Sequence, residues 1–394
     1  MEVRPGYKQT EMGLIPEDWE HRTFGDLYAQ PSRNGIYKTS EFHGRGTRIV
    51  NMGEMFGFEF ISDQDMNRVA LTTPELSATA LLDGDLLFGR RSIVPAGAGK
   101  CSLVVSPTEP ITFESSIIRV RLDNTKAHPR FFYYFFASPI GRSTVGTIVS
   151  GTNVKGVRAT ELRELKVSVP PTKAEQEAIA ESLSDADALT ECLEQLLAKK
   201  RQLKQGAMQE LLMGKRRLPG FSGEWEVKRL GDLLAIAHGK SQKSVEDQNG
   251  IYPILATGGQ IGTANRFIYD KPSVLIGRKG TIDQPQFMDT PFWTIDTLFY
   301  SIVREPNNAK FLYYRFCLIN WKQHNEASGV PSLNARTIEG IEIRAPQYQE
   351  QNAITGLLSD MDAELAALGA KLTKARQLKQ GMMQELLTGR IRLV

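Results

Sequence analysis

Cysteine and histidine are scarce: 394 residues carry three Cys and five His. Cys101, Cys192 and Cys317 stand far apart, with no Cys-x-x-Cys pair. Neither a disulfide framework nor a structural zinc site is expected, and reduced thiols are. No apolar run approaches the roughly 18 residues of a membrane span, and Met1–Thr10 lacks the apolar core of a signal peptide. The expectation is a soluble, cytoplasmic protein without a membrane partner. Charge of one sign is also in short supply, because 48 basic residues face 45 acidic ones for a net +3. That balance permits nucleic-acid binding only where a local basic surface supplies the field.

Catalytic motifs are missing as well. Gly97–Ser102 (GAGKCS) looks like a phosphate loop, but Val94 stands where its leading Gly belongs, and Cys101 where a Ser or Thr would hold magnesium. His238–Ser241 supplies the Ser but has Leu234 in place of that Gly. The one Pro-Pro, Pro170-Pro171, lies between Val169 and Thr172, unlike the Asn/Asp-Pro-Pro-aromatic tetrad of nucleic-acid methyltransferases. Neither a GxSxG elbow nor an HExxH pair occurs. Asp185 and Asp187, which recur as Asp360 and Asp362, read as helix-end charges or partner contacts. No catalytic residue, metal ligand or cofactor site is expected in this chain.

What the sequence does contain is itself, twice. KRQLKQGAMQELLMGKRRL at 200–218 returns, shifted by 175, as ARQLKQGMMQELLTGRIRL at 375–393. Earlier elements repeat at larger shifts. Trp19–Leu27 matches Trp225–Leu233, Leu86–Arg91 matches Val274–Lys279, Phe131–Phe136 matches Phe311–Phe316, and Leu165–Pro170 matches Ile341–Pro346. A shift that shrinks along the chain means one order of elements joined by loops of unequal length.

Each half begins with short β-branched runs punctuated by Gly, Pro and Asn, which predict strands. An aromatic helix follows, Pro129–Ala137 or Ala309–Ile319, and then a closing strand. Beyond these the period changes. Ile179, Leu183, Ala186, Leu189, Leu193, Leu196 and Leu203, and then Ile354, Leu358, Met361, Leu365, Leu368, Leu372, Ala375 and Leu378, trace a coiled-coil seam. Pro171 and Pro346 precede these stretches, and Gly214 and Gly389 follow them. About 38 helical residues would extend roughly 57 Å. The fold class expected is α+β, with two similar α/β domains separated by two long repeated helices. Those helices would form an antiparallel coiled coil with internal pseudo-two-fold symmetry; the alternative is that each packs on its own domain. The expected segments are 1–170 and 216–346 for the domains, with 171–215 and 347–394 for the helices.

Binding chemistry remains. Basic residues in Gly-rich loops beside the strands can meet phosphates or read guanine edges. In the first half these are Arg45, Arg48, Arg90, Arg91 and Lys100, and in the second Lys240, Lys243, Arg266, Arg278 and Lys279. The sharpest are the repeated Gly-Arg-Arg and Gly-Arg-Lys at 89–91 and 277–279. A second candidate is Ser150–Arg158 (SGTNVKGVR), matched with Ser328–Arg336 (SGVPSLNAR), which adds Lys155, Arg158, Asn334 and Arg336.

Taken together, the chain resembles the DNA-specificity (S) subunits of type I restriction–modification enzymes. The resemblance is carried by Gly6–Trp19 (GYKQTEMGLIPEDW), by Pro170–Gln176 with its Glu-Gln, by Glu350-Gln351, and by the twin RQLKQG helices. It covers the whole chain in order, although the second copy has Pro346-Gln347-Tyr348 where the first has Pro-Pro. The resemblance implies a non-catalytic subunit in a prokaryotic cytoplasm. Two target-recognition domains would each read half of a bipartite double-stranded DNA target, and the helices would set the gap and dock two methyltransferase subunits. S-adenosylmethionine, ATP and Mg2+ would then be used by the methyltransferase and restriction subunits, not by this chain. The rival reading is a protein-interaction scaffold with two binding domains on a coiled-coil spacer.

Overall fold

The computed structural model describes residues 5–10, 13–94 and 97–393. Met1–Arg4 of the opening segment and Glu11 and Met12 of the opening motif lie outside the described residues. The chain divides into two compact units. One holds the sequence up to Cys192 together with that from Leu372 onward, and the other holds Leu193–Lys371. Both boundaries fall inside the long helices, so each unit draws on the two of them where the sequence suggested consecutive segments.

The first unit is built on a five-stranded sheet in the order Arg33–Asn34, Ile117–Val120, Leu86–Gly89, Cys101–Val104, Phe60–Ile61. Strand side chains alternate between faces, and here both faces are covered. Leu86, Phe88, Leu103, Ile118 and Val120 join one apolar cluster, while Leu87, Val104 and Ile117 join another. The aromatic helix Pro129–Ala137 lies in the first cluster and buries all six of its rings. The same cluster takes in Ile179, Ala180 and Leu183 from the start of one long helix and Leu386 and Leu387 from the end of the other.

In the second unit the sheet order is Leu234–His238, Leu298–Val303, Ser273–Gly277, Gln286–Met288. Its core again combines a helix end (Met208, Leu211, Leu212) with a helix start (Ile354, Leu358). The aromatic helix stops at Phe316 instead of the expected Ile319. Trp321, fully buried in a short 3-10 turn, donates its indole N–H to the Phe316 carbonyl at 2.9 Å and so occupies an acceptor of the last turn.

The long helices span Lys173–Leu211 and Tyr348–Leu386, 39 residues each. They run antiparallel within each unit. In the first unit Lys379 pairs with Asp187; in the second Lys204 pairs with Asp362, and Lys200 with Glu364 at 2.6 Å. The Asp–Lys pairs are copies shifted by 175, and each Asp also accepts from a tyrosine hydroxyl of its unit's aromatic helix. Tyr134 to Asp187 measures 2.7 Å and Tyr314 to Asp362 2.6 Å.

The expected seam holds at Ile179, Leu183, Ile354, Leu358, Leu368, Leu372 and Ala375, all buried, and is corrected at four other places. Leu189, Leu196, Leu203 and Leu378 are exposed, and the inward places fall one residue later, at Thr190, Leu197, Lys204 and Lys379. The charged pairs fit this rotation: the lysine ammonium reaches its carboxylate while its alkyl stem lines the helix contact. After each helix, Gly214 and Gly389 adopt φ +68, open only to residues without a Cβ penalty. A Cβ would also lie 3.2 Å from Trp225 at Gly214 and 2.5 Å from Pro16 at Gly389.

Candidate nucleic-acid interface

The two candidate segments of each half, far apart in sequence, meet in the structure. In the first unit the buried strand Leu86–Gly89 runs straight into Arg90 and Arg91. Gly89 is obligatory there, because a Cβ would sit 2.7 Å from the Gly97 carbonyl. Arg91–Ser92 then pairs antiparallel with Lys155–Gly156, and the Val157 N–H donates to the Arg90 carbonyl at 3.0 Å. Ser150 and Gly156 exchange backbone bonds of 2.9 and 2.8 Å, and Lys155 donates to the Gly151 carbonyl at 2.7 Å. The result is an open cleft of about 390 Å³ lined by Arg90, Arg91, Lys155, Arg158 and Val154. No carboxylate lines it. Arg90 bonds the Ser115 carbonyl at 3.3 Å, while Arg158 holds Glu161 only loosely, at 3.6 Å.

The second unit repeats the backbone pattern of this turn. Arg278 and Lys279 leave the strand Ser273–Gly277, and a Cβ on Gly277 would lie 2.0 Å from the Thr281 carbonyl. Lys279 forms a backbone bridge with Ser332, the Leu333 N–H donates to the Arg278 carbonyl at 2.9 Å, and the Glu326 N–H donates to the Ser332 carbonyl at 3.1 Å. Arg278 reaches the Asp296 carbonyl at 3.3 Å.

These bonds correct the expected loop match by two residues. Ser150, Gly156 and Val157 occupy the places of Glu326, Ser332 and Leu333, so Arg158 corresponds to Asn334 and not to Arg336. Both residues stand at helix N-caps, before Ala159–Glu164 and Ala335–Gly340. Asn334 is occupied there, its side chain accepting from the Arg336 N–H at 3.0 Å. The matched loops also hold an exposed valine each, Val154 and Val330, which reading for charge passed over. The signal emerges only in the corrected match, where theirs is the one identical pair between 150–158 and 326–334.

Other candidates separate by environment. Arg45, Lys240, Lys243, Arg266 and Arg336 are exposed. Lys240 is fixed through its backbone, its N–H bonding Thr294 and its carbonyl accepting from the Trp293 indole, both at 2.9 Å. Arg48 is not available: it is buried and ion-paired to Asp63 and Glu109, both at 2.6 Å. Its guanidinium and Thr108 hold Asp63 below the usual carboxylate range, and Arg68 with Arg48 does the same for Glu109. Lys100 is turned inward, donating to the Phe56 carbonyl at 2.9 Å over that residue's ring. Burial lowers its affinity for a proton. Among the described residues no cluster of three His, Cys, Asp or Glu could hold a metal, and no helix is long and apolar enough to cross a membrane.

Several known proteins resemble this chain. A putative type I restriction enzyme MjaX specificity subunit from Methanocaldococcus jannaschii is 23% identical over 98% of this chain and 97% of its own length. The EcoKI specificity subunit of Escherichia coli is 25% identical over 57% of this chain, a match spanning about half (49%) of that relative. The crystal structure of a type I restriction–modification S subunit from M. genitalium superposes with a TM-score of 0.63 at 16% identity, covering 98% of each chain, which establishes the shared fold. The family model for the type I restriction modification DNA specificity domain matches twice, over residues 16–202 and 222–375, and this chain therefore belongs to the type I restriction–modification DNA specificity family.

Proposed function

We propose that the chain is the non-catalytic sequence reader of a type I complex, each unit recognising one half of a bipartite duplex target. The observation that carries this is the recurrence in both units of one basic turn, Arg90–Arg91 or Arg278–Lys279, pinned by the same three-point backbone pattern to a second loop. Phosphate contacts would supply affinity and register while base edges supply specificity, and the cations of the turn can meet both. Two tethered half-sites reinforce each other only at a matching spacing, which assigns the long helices the task of fixing the gap.

The repeated helices also carry a docking surface. Leu203 in the second unit and Leu378 in the first are exposed copies of one residue. Three residues on, Gly206 and Gly381 sit within the last turns of the helices, with no atom beyond the local helix backbone within 4 Å of a built Cβ. An internal helical Gly costs roughly 1 kcal/mol relative to Ala, and nothing within the fold compensates. Two identical exposed faces suit two copies of one partner, and we assign them to two methyltransferase subunits. Cofactor and nucleotide chemistry would then lie with those and with restriction subunits.

Co-expression with the methyltransferase subunit of the same system, followed by mapping of adenine methylation across the genome, tests the reading. A single split motif with a fixed gap is expected. A soluble, associated pair that methylates no motif would overturn it.

A further inference from the structure

We infer that Val154 and Val330 are apolar readers of thymine, each meeting the 5-methyl group of a T·A pair in the major groove of the half-site its unit recognises. The inference rests on the DNA-reading proposal above and adds to it a chemical preference.

Single exposed apolar residues are ordinary on protein surfaces, so exposure by itself means little. Three observations together mean more. First, when the two loops are matched by their backbone hydrogen bonds, every residue differs except this valine. Lys155 stands opposite Pro331, Gly156 opposite Ser332, and Arg158 opposite Asn334. The retained side chain supports no core, being 49% exposed at Val154 and 67% at Val330.

Second, each valine stands where base edges would be met. Val154 lines the same cleft as Arg90, Arg91, Lys155 and Arg158. Val330 precedes Pro331, whose carbonyl accepts from the Gly280 N–H at 2.9 Å beside Lys279. Third, the supporting element in the first unit is a two-stranded ribbon, Arg91–Ser92 against Lys155–Gly156, a shape the major groove admits, and a single bridge from Lys279 to Ser332 stands in its place in the second. Past it the chain continues into Ile93 and Val94, 80% and 52% exposed. The methyl of thymine is the one apolar group on the major-groove edge of the standard bases. Val154, set among cations, therefore has one natural counterpart there, and Val330 takes the matched place in the second loop.

The test uses the assembled complex with its methyltransferase subunits and the duplex target defined by methylation mapping. Binding is compared between that duplex and versions in which single thymines are replaced by deoxyuridine, which removes the methyl alone. Wild type should bind roughly fourfold more weakly when one particular thymine in each half-site is replaced, the effect of one buried methyl group. Val154→Ala should abolish that penalty in the half-site of the first unit and leave the other half-site unchanged, with Val330→Ala doing the converse. Val154→Thr, which keeps one methyl, should retain part of it. A penalty undiminished in Val154→Ala, or half-sites without a sensitive thymine, overturns the inference while the DNA-reading proposal stands. Val154→Ala that instead loses its methyltransferase subunits marks a protein contact and also overturns it. Failure of the wild-type complex to bind any duplex removes the underlying proposal as well.

Discussion

Arg392 grips Glu175 across 217 residues of sequence, with its Nη2 2.8 Å from Oε2, and with its other edge holds Asp18 at 2.8 and 3.0 Å. The same grip, shifted by 175, joins Arg217 to Glu350, where Trp225 adds an indole bond at 3.2 Å. Glu175 and Glu350 are buried, each 2% exposed, and both are the Glu of the repeated Glu-Gln step. The adjoining glutamines are also structural. Gln176 accepts from the His128 N–H and Gln351 from the Asn308 N–H, both at 2.8 Å, fixing the entry to the aromatic helix of each unit.

Removing the arginine should therefore strand a buried carboxylate. Arg392→Ala is expected to cost the first unit about 3 kcal/mol or more, and Arg217→Ala to do the same to the second. Urea unfolding checks this: each variant should lower the midpoint of one unit's transition, and an unchanged midpoint would refute the assignment.

The basic turn yields a prediction about salt. The Arg90→Ala, Arg91→Ala double variant should weaken binding through the first half-site and leave the second unit folded. The slope of log affinity against log salt should fall by about 1 for each lost phosphate contact. Affinity measured at several salt concentrations decides it, and an unaltered slope with unaltered modification would remove both arginines from the interface.

The helices should behave as a spacer. Matched four-residue insertions, one in each helix and placed to keep Lys204 with Asp362 and Lys379 with Asp187, should lengthen the accepted gap and leave both half-sites as they are. Methylation mapping of the variant supplies the readout, with altered half-sites and the old gap as the contrary result.

The acid limb of stability should depend on Arg48. Asp63 and Glu109 both have carboxyl pKa values lowered below their ordinary 3.8 and 4.5, chiefly by hydrogen bonds from Arg48 and from Arg68 respectively. A carboxyl with a lowered folded value contributes fully above its unfolded value and loses that contribution as pH falls through the folded one. Stability of the first unit should thus decline below about pH 4.5. Glu109→Gln should be less stable near neutral pH and decline less steeply in acid, as measured by denaturant midpoints from pH 3 to 7.

Much of this was legible in the sequence, and the reasons are local. Leu86–Phe88 and Phe131–Phe136 announce a buried strand and a buried helix because every position is apolar, and the 175-residue echo announces the long helices. Rotation about the helix axis was not legible. Leu189, Leu196 and Leu203 satisfy a heptad, yet the inward places next to them hold Thr190, Leu197 and Lys204, and the Lys204–Asp362 pair that accompanies this rotation joins distant segments. The cleft shows a similar division. Gly-Arg-Arg and the Ser150 loop each stood out, yet their meeting depends on the ladder between Arg91–Ser92 and Lys155–Gly156, and the correct matching of the second loop on the Glu326–Ser332 bond. Arg48 was misread because a buried and an exposed arginine look alike until Asp63 and Glu109 are placed beside it.

Leu386 and Leu387 share a core with Phe24 and Phe131, and this has a consequence for synthesis. A ribosome adding roughly 5–20 residues per second makes the early strands of that core on the order of ten seconds or more before its last helix. During that interval the apolar faces of Phe131–Phe136 and of Ile179 and Leu183 lack their final cover, an exposure that fast translation shortens and a chaperone can shield. The second unit, whose residues are contiguous from Leu193 to Lys371, can complete itself first. A nascent chain stopped short of Leu386 would accordingly fail in the unit that was begun earliest.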